Sequence, residues 1–369
     1  MTLDNLELYF VEVIRGKRKG VVASALRFVL RLFSWIFRLI IACRNWAFDH
    51  GWFRKYYPPV PLVISVGNIV AGGTGKTPVT LMLANEFYDK YALAISTRGY
   101  RSHAEKNSVP LLLSEGKGPL HPASYCGDEP FLLSFNLPKA FVFVGRNRSQ
   151  ACAMAAKAGA QIILLDDAMQ HRQLARDFEI AVVDATDPFG GGYFLPRGLL
   201  REGAHSLERA DLVIVNHVHD LEHFAIQKKK LAQFTSSPVI ATRMEVDRVL
   251  DLQGNFLESI DKKKVGIFCG IAQPGHFHKI LKSLDAEVMS QHIVPDHRDF
   301  DLEVLKAFAS KCADLGAELL VCTEKDQVKL AKNLKLPLTV VWLKAKLCII
   351  EGQEHWTSFI EKAKSTVNK

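Results

Sequence analysis

Residues 67–78 read Gly-Asn-Ile-Val-Ala-Gly-Gly-Thr-Gly-Lys-Thr-Pro and follow directly on the apolar run Pro61-Leu-Val-Ile-Ser-Val66. An apolar strand that turns through clustered glycines into Gly-Lys-Thr and then a helical pattern reads as a phosphate-binding loop, which commits the chain to a layered α/β fold around a nucleotide. Glycines let backbone N–H groups approach a polyphosphate, the Lys76 ammonium reaches the β and γ phosphates, and the Thr77 hydroxyl can ligate Mg²⁺ at the helix N-terminus. Gly72, Gly73, Thr74, Gly75, Lys76 and Thr77 are the expected nucleotide-binding residues, Lys76 with a share in catalysis. Val70 stands where the general pattern has a glycine five residues before Gly75. The Gly-Gly-x-Gly-Lys-Thr spacing resembles the loops of partitioning-type ATPases, but those carry lysine where this chain has Ala71.

From residue 60 to about 217, apolar runs at 62–66, 92–97, 141–144, 162–165, 180–184 and 212–216 alternate with helical patterns at 78–88, 129–135, 148–158 and 222–234. That rhythm predicts a parallel sheet covered by helices. Residues 238–258 alternate apolar and polar around Gln253-Gly-Asn255 and predict a β-hairpin. A second α/β series follows, with strands at 265–269, 288–294, 318–323 and 338–343 and helices at 274–284 and 302–315. The expected organisation is an N-terminal helix in 1–50, a P-loop domain in 51–237, a β-hairpin linker in 238–260 and a smaller C-terminal α/β lobe in 261–369. Seven scattered cysteines without a Cys-x-x-Cys pair read as small buried residues in a reducing compartment, not as zinc or redox ligands.

The net charge of +8 is unevenly placed: residues 1–60 hold ten Lys/Arg against four Asp/Glu, and the remainder is nearly balanced. A nucleic-acid surface would need a basic face on the folded body, so no nucleic-acid partner is expected. Within the strongly apolar stretch 21–43, Arg27, Arg31 and Arg38 fall within about 40° of one another on a helix, leaving Phe28, Val29, Leu32, Phe33, Ile36 and Leu39 for a wide apolar face. This pattern predicts a basic amphipathic helix lying in the headgroup boundary of an anionic membrane surface. Central arginines argue against a spanning helix.

Ligands in such folds gather at the carboxyl ends of strands. Leu164-Leu-Asp-Asp167 ends a buried-type strand with paired carboxylates, so Asp166 or Asp167 would hold a metal beside the P-loop; a helix cap or turn is the plain alternative. Gln170 follows in the same polar strand end. Asp128 and Glu129, in Gly127-Asp-Glu-Pro130, sit where a loop enters a helix, where Asp is by default an N-cap. Arg197 and Arg201 lie in a Gly/Pro-marked loop where they could clamp a phosphate of substrate or nucleotide; solvated surface arginines are the plain alternative. His297, in Pro295-Asp-His-Arg-Asp-Phe300, reads on its own as a loop histidine or as the partner of a carboxylate.

Taken with Thr97-Arg-Gly-Tyr100, Asp166-Asp-Ala-Met-Gln-His171, Leu195-Pro-Arg-Gly-Leu-Leu-Arg-Glu202 and Thr323-Glu-Lys-Asp326, these pieces resemble the tetraacyldisaccharide 4'-kinase family in order and spacing across almost the whole chain. The resemblance implies a lipid kinase that uses ATP and Mg²⁺ to phosphorylate the 4'-hydroxyl of an acylated disaccharide 1-phosphate lipid, a lipid A precursor, at the cytoplasmic face of the inner membrane. It also implies roles: Asp128 as catalytic base with His297 as its partner, Thr77, Asp166 and Asp167 on the metal, and Glu129, Gln170, Arg201 and Glu202 around substrate and phosphates. Three other classes compete. A membrane-associated partitioning-type switch ATPase would hydrolyse ATP without transfer. A GTPase should show Asn-Lys-x-Asp where this chain has Asn216-His-Val-His219. A kinase with a soluble acceptor would leave the basic apolar helix without a purpose.

Overall fold

The computed structural model describes residues 9, 12–14, 16–271, 274–295, 300–331 and 333–368, apart from the side chain of His276. The chain forms two compact units, one of residues 1–76, 164–243 and 349–369, the other of residues 77–163 and 244–348. In the first unit, helix α1 (Val21–Asp49) ends where Gly51, at φ +73°, lets Trp52 N–H reach back to the Ala47 carbonyl. That is a left-handed glycine stop. Strand β1 (Leu62–Gly67) follows, buried at every residue. The chain passes into the second unit within helix α2 (Lys76–Asn85).

There β2 (Leu93–Thr97) pairs in parallel with β4 (Phe141–Val144), and β3 (Leu111–Glu115) runs antiparallel on the other side of β4. Helices α3 (Ala123–Cys126), α4 (Asp128–Asn136) and α5 (Arg148–Lys157) connect these strands, and the Asn147 side chain caps α5 by accepting from Gln150 N–H. Strand β5 (Ile162–Asp166) leads back into the first unit, where it neighbours β1. There β1 runs parallel to β6 (Phe178–Asp184), and β6 to β7 (Leu212–Asn216). Helix α6 (Leu221–Leu231), capped by Asp220, leads to β8 (Val239–Asp251), whose start is parallel to β7. Runs of Val, Ile and Leu suit strands covered on both faces, which is why these were legible from apolarity alone.

The far end of β8 turns through Gln253, Gly254 and Asn255 into β9 (Phe256–Leu257), with Leu250 opposite Phe256: the β-hairpin expected at this point. In the second unit β10 (Lys264–Cys269) lies between β11 (Glu287–Ile293) and β12 (Leu319–Thr323), and β12 pairs with β13 (Thr339–Glu351), all in parallel. Helices α7 (Pro274–Ser283), α8 (Leu302–Asp314) and α9 (Glu324–Gln327) accompany them. The last helix, α10 (Gln353–Val367), belongs to the first unit and buries Trp356, Phe359, Ile360 and Ala363, with Phe359 edge-on to Phe178. β3, α10 and the one-turn helices α3 and α9 are additional to the elements expected from sequence.

Helix α1 inverts the usual arrangement of an amphipathic helix. Its polar side faces the first unit: Arg31 donates to the Tyr193 hydroxyl at 2.9 Å, Ser34 to the Phe194 carbonyl at 2.9 Å, and Arg38 covers the Phe194 ring. Phe28, Leu32, Phe33, Trp35, Ile36 and Leu39 are exposed. Among the described residues no helix is long and apolar enough to cross a membrane.

Candidate active site

The loop after β1 is pinned from three sides, all within the first unit. Asn68 Nδ2 donates to Thr74 Oγ1 at 2.9 Å, and Asn216 Nδ2, from the end of β7, donates to the Thr74 carbonyl at 3.2 Å. The third side is the stretch 199–201: Ala71 N–H reaches the Leu199 carbonyl, and Arg201 N–H the Ile69 carbonyl at 2.8 Å. Val70, the departure from the glycine pattern, bridges to Leu200 and packs in the core with Leu200 and Val183. An apolar side chain there anchors the loop's base. Gly75, by contrast, has no substitute: its φ is +83°, and a Cβ on it would lie 1.9 Å from Asn216 Nδ2. Gly72 and Gly73 are exposed, and Lys76 and Thr77 open α2.

The end of β5 brings the expected acidic pair to this loop. Asp166 is the last strand residue and is buried, and Asp167 follows at φ +52°. That is a left-handed conformation which costs a non-glycine residue energy and is found at sites where a side chain must be re-aimed. Asp167 Oδ1 lies 3.6 Å from Lys76 Nζ and 2.9 Å from Arg201 Nη1. Arg201 Nη1 also reaches Gln170 Oε1 at 3.3 Å, and Gln170 Nε2 donates to the Asn68 carbonyl at 2.7 Å. Lys76, Asp167, Gln170 and Arg201 thus form one connected set around the P-loop. With a quarter of both side chains exposed, the Arg201–Asp167 pair contributes at most about 1 kcal/mol to stability. Its place is better explained by the charge it holds beside the phosphate loop. Met169, between these polar residues, is fully buried in the core that holds Ile69 and Val70. A Cβ on Gly67 would lie 2.4 Å from Met169 Cβ, so that glycine permits the close approach of the two strand ends.

Glu202 stands apart from this set. It is fully buried and takes bonds from Arg44, Asn45 and Arg209. Burial raises its carboxyl pKa, but the charge and hydrogen bond of Arg209, with the charge of Arg44, outweigh this and hold it below its ordinary range. Arg197 lies over the Tyr193 ring and donates to the Ile14 carbonyl.

Asp128 and Glu129 open α4 in the second unit, after Gly127 at φ +96°. Asp128 Oδ2 lies 3.1 Å from the ammonium of Lys329. Burial pushes the neighbouring Cys126 thiol up to about 12, as expected of a buried structural cysteine. His297 lies outside the described residues. Among the described residues no group of three His, Cys, Asp or Glu side chains is arranged around a metal position. Sequence reasoning missed Asn68, Asn216 and Lys329. Asn216 ends β7 and Asn68 directly follows β1, both at carboxyl edges, which was the available signal; Lys329 carries none.

The family model for tetraacyldisaccharide-1-P 4'-kinase (LpxK) matches residues 26–364. A tetraacyldisaccharide 4'-kinase of Chlamydia abortus is 37% identical over 316 residues, covering 83% of this chain and 82% of that protein. One from Syntrophus aciditrophicus is 34% identical over 347 residues, covering 90% and 91%. Among solved structures, LpxK from Aquifex aeolicus in complex with ATP superposes with a TM-score of 0.73 at 29% identity, covering 92% of this chain and 99% of that one. With the P-loop, its acidic strand end and a family match over nearly all of its length, the chain belongs to the tetraacyldisaccharide 4'-kinase family.

Proposed function

We propose that the chain transfers the γ-phosphoryl group of ATP to the 4'-hydroxyl of a tetraacylated glucosamine disaccharide 1-phosphate, giving lipid IVA and ADP. The match to the kinase family over residues 26–364 carries this reading. Phosphoryl transfer asks the protein mainly for positioning and charge neutralisation. Gly72 to Gly75 supply a backbone cradle, and Lys76 brings its charge to the transferred group. Thr77, Asp166 and Asp167 offer the hard oxygen donors that suit Mg²⁺, and the cations already beside Asp167 fit a strand end built to exchange charge with a nucleotide. Bound there, the metal supplies neutralisation of the β and γ phosphates. Gln170, Arg201 and Glu129 act on the phosphates and the acceptor, and Glu202 holds the Arg201 segment against α1.

On the acceptor side, Asp128 takes the hydroxyl proton, with His297 as its partner. The sugar oxygen bonds to the γ phosphorus as the bond from that phosphorus to the bridging oxygen breaks, its electron pair leaving on ADP.

The exposed apolar face of α1 supports membrane attachment at the cytoplasmic face of the inner membrane, where an acylated acceptor resides. Six large apolar side chains at about 1.5–3 kcal/mol each for full burial amount to on the order of 10 kcal/mol available for embedding. The test is to incubate the protein with γ-labelled ATP, Mg²⁺ and either the lipid disaccharide precursor or water alone. Label on the lipid is the expected result. Equal release as inorganic phosphate in both arms would assign a switch ATPase instead.

A further inference from the structure

The segment Thr323-Glu-Lys-Asp326 and its continuation to Lys329 have no part in the reading above, yet they are firmly built. Asp326 is fully buried, held by the Gly270 N–H and the Thr323 hydroxyl. The short α9 packs on α4, the helix that opens with Asp128. Two side-chain links join them inside the second unit. Near the C-terminal end of α4, Asn136 Nδ2 donates to Glu324 Oε1 at 3.0 Å; at its N-terminal end, Lys329 Nζ meets Asp128 Oδ2 at 3.1 Å. The Lys329 side chain is 3% exposed and that of Asp128 is 11% exposed. A buried lysine is rare unless paired, and a well-packed apolar pair serves stability as well or better. The pair is therefore weak evidence for a purely stabilising role.

We propose that Lys329 is the positioning residue of the acceptor-side base. Its ammonium forms an ion pair with one oxygen of Asp128 and so biases the orientation of the carboxylate, while the Asn136–Glu324 bond holds the helix that carries it. Transfer geometry tolerates little misplacement, so a carboxylate free to rotate loses turnover without losing nucleotide affinity. This rests on Asp128 being the group that takes the hydroxyl proton.

The test measures kcat and KM for ATP and for the lipid acceptor in Lys329→Met, Lys329→Arg, Asp128→Asn and the double variant Asp128→Asn/Lys329→Met. In Lys329→Met, kcat should fall about 10- to 100-fold with the KM for ATP within about twofold, and Lys329→Arg should recover much of the loss. The double variant should be no slower than Asp128→Asn alone. Wild-type kcat in folded Lys329→Met overturns the proposal, as does a double variant in which the two losses multiply. If Lys329→Met cannot be purified, the double variant carries the test, since it leaves no buried carboxylate unpaired. Asp128→Asn turning over at the wild-type rate would remove the base reading and this inference with it; an inactive Asp128→Asn beside a normal Lys329→Met removes the Lys329 inference alone.

Discussion

Two residues of the P-loop separate charge from shape. Lys76→Ala leaves the loop's hydrogen bonds to Asn68, Asn216 and Leu199 in place and removes the charge 3.6 Å from Asp167. Phosphoryl transfer to lipid should fall by about 10² or more with an unchanged melting temperature. Near-normal transfer would sink the assignment of this loop. Gly75→Ala does the reverse: it keeps every charge but drives a methyl group into Asn216. ATP affinity by calorimetry should drop at least about 10-fold, and adding Asn216→Gly should restore only part of it, because the left-handed backbone at Gly75 still costs alanine roughly 1–2 kcal/mol. Full restoration would show the clash to be the whole effect. The glycines, Lys76, Thr77 and the acidic pair were legible because the P-loop is a local pattern. Asn216 and Lys329 were not, since each meets a partner that only tertiary folding brings within reach, and the bond of Asn68 to Thr74, six residues on, depends on the path the loop takes.

At the level of elements, the parallel strands were readable from apolar runs such as Ile162 to Leu165 because both faces are covered. β3 escaped notice: it lies antiparallel beside β4, and its Leu111 and Leu112 are only half-buried. In α10 the signal was present in Trp356, Phe359, Ile360 and Ala363 at helical spacing, but lay among polar residues. The basic pattern in α1 was visible, whereas its contacts with Tyr193, Phe194 and Glu202 were not. The Glu202 contact should make this anchoring depend on pH. The Glu202 carboxyl lies below its ordinary 4.5 in the folded state, so its contribution is present above that value and lost as pH falls through the folded-state value. Glu202→Gln should lower unfolding stability by about 2–4 kcal/mol at pH 7. The gap to wild type in urea midpoints should close between pH 4.5 and lower values. A gap that stays constant on acidification would show that the charge is not what holds the helix.

At the scale of the whole molecule, the arginine side of α1 is occupied by the body, so embedding should depend on the opposite face alone. Replacing Phe28, Leu32 and Ile36 by serine should abolish flotation with anionic vesicles while leaving the rate on detergent-dispersed lipid within about twofold, because these side chains are exposed rather than packed in the core. Undiminished flotation would place the attachment elsewhere. If the outward-turned face of α1 attaches the enzyme to lipid as proposed, it also changes what concentration means. Enzyme and acceptor confined to one sheet of lipid meet by lateral diffusion, so turnover should follow the mole fraction of acceptor in that sheet and not its amount per litre. Adding inert phospholipid at constant total acceptor should slow the reaction, a surface dilution that the triple serine variant should no longer follow.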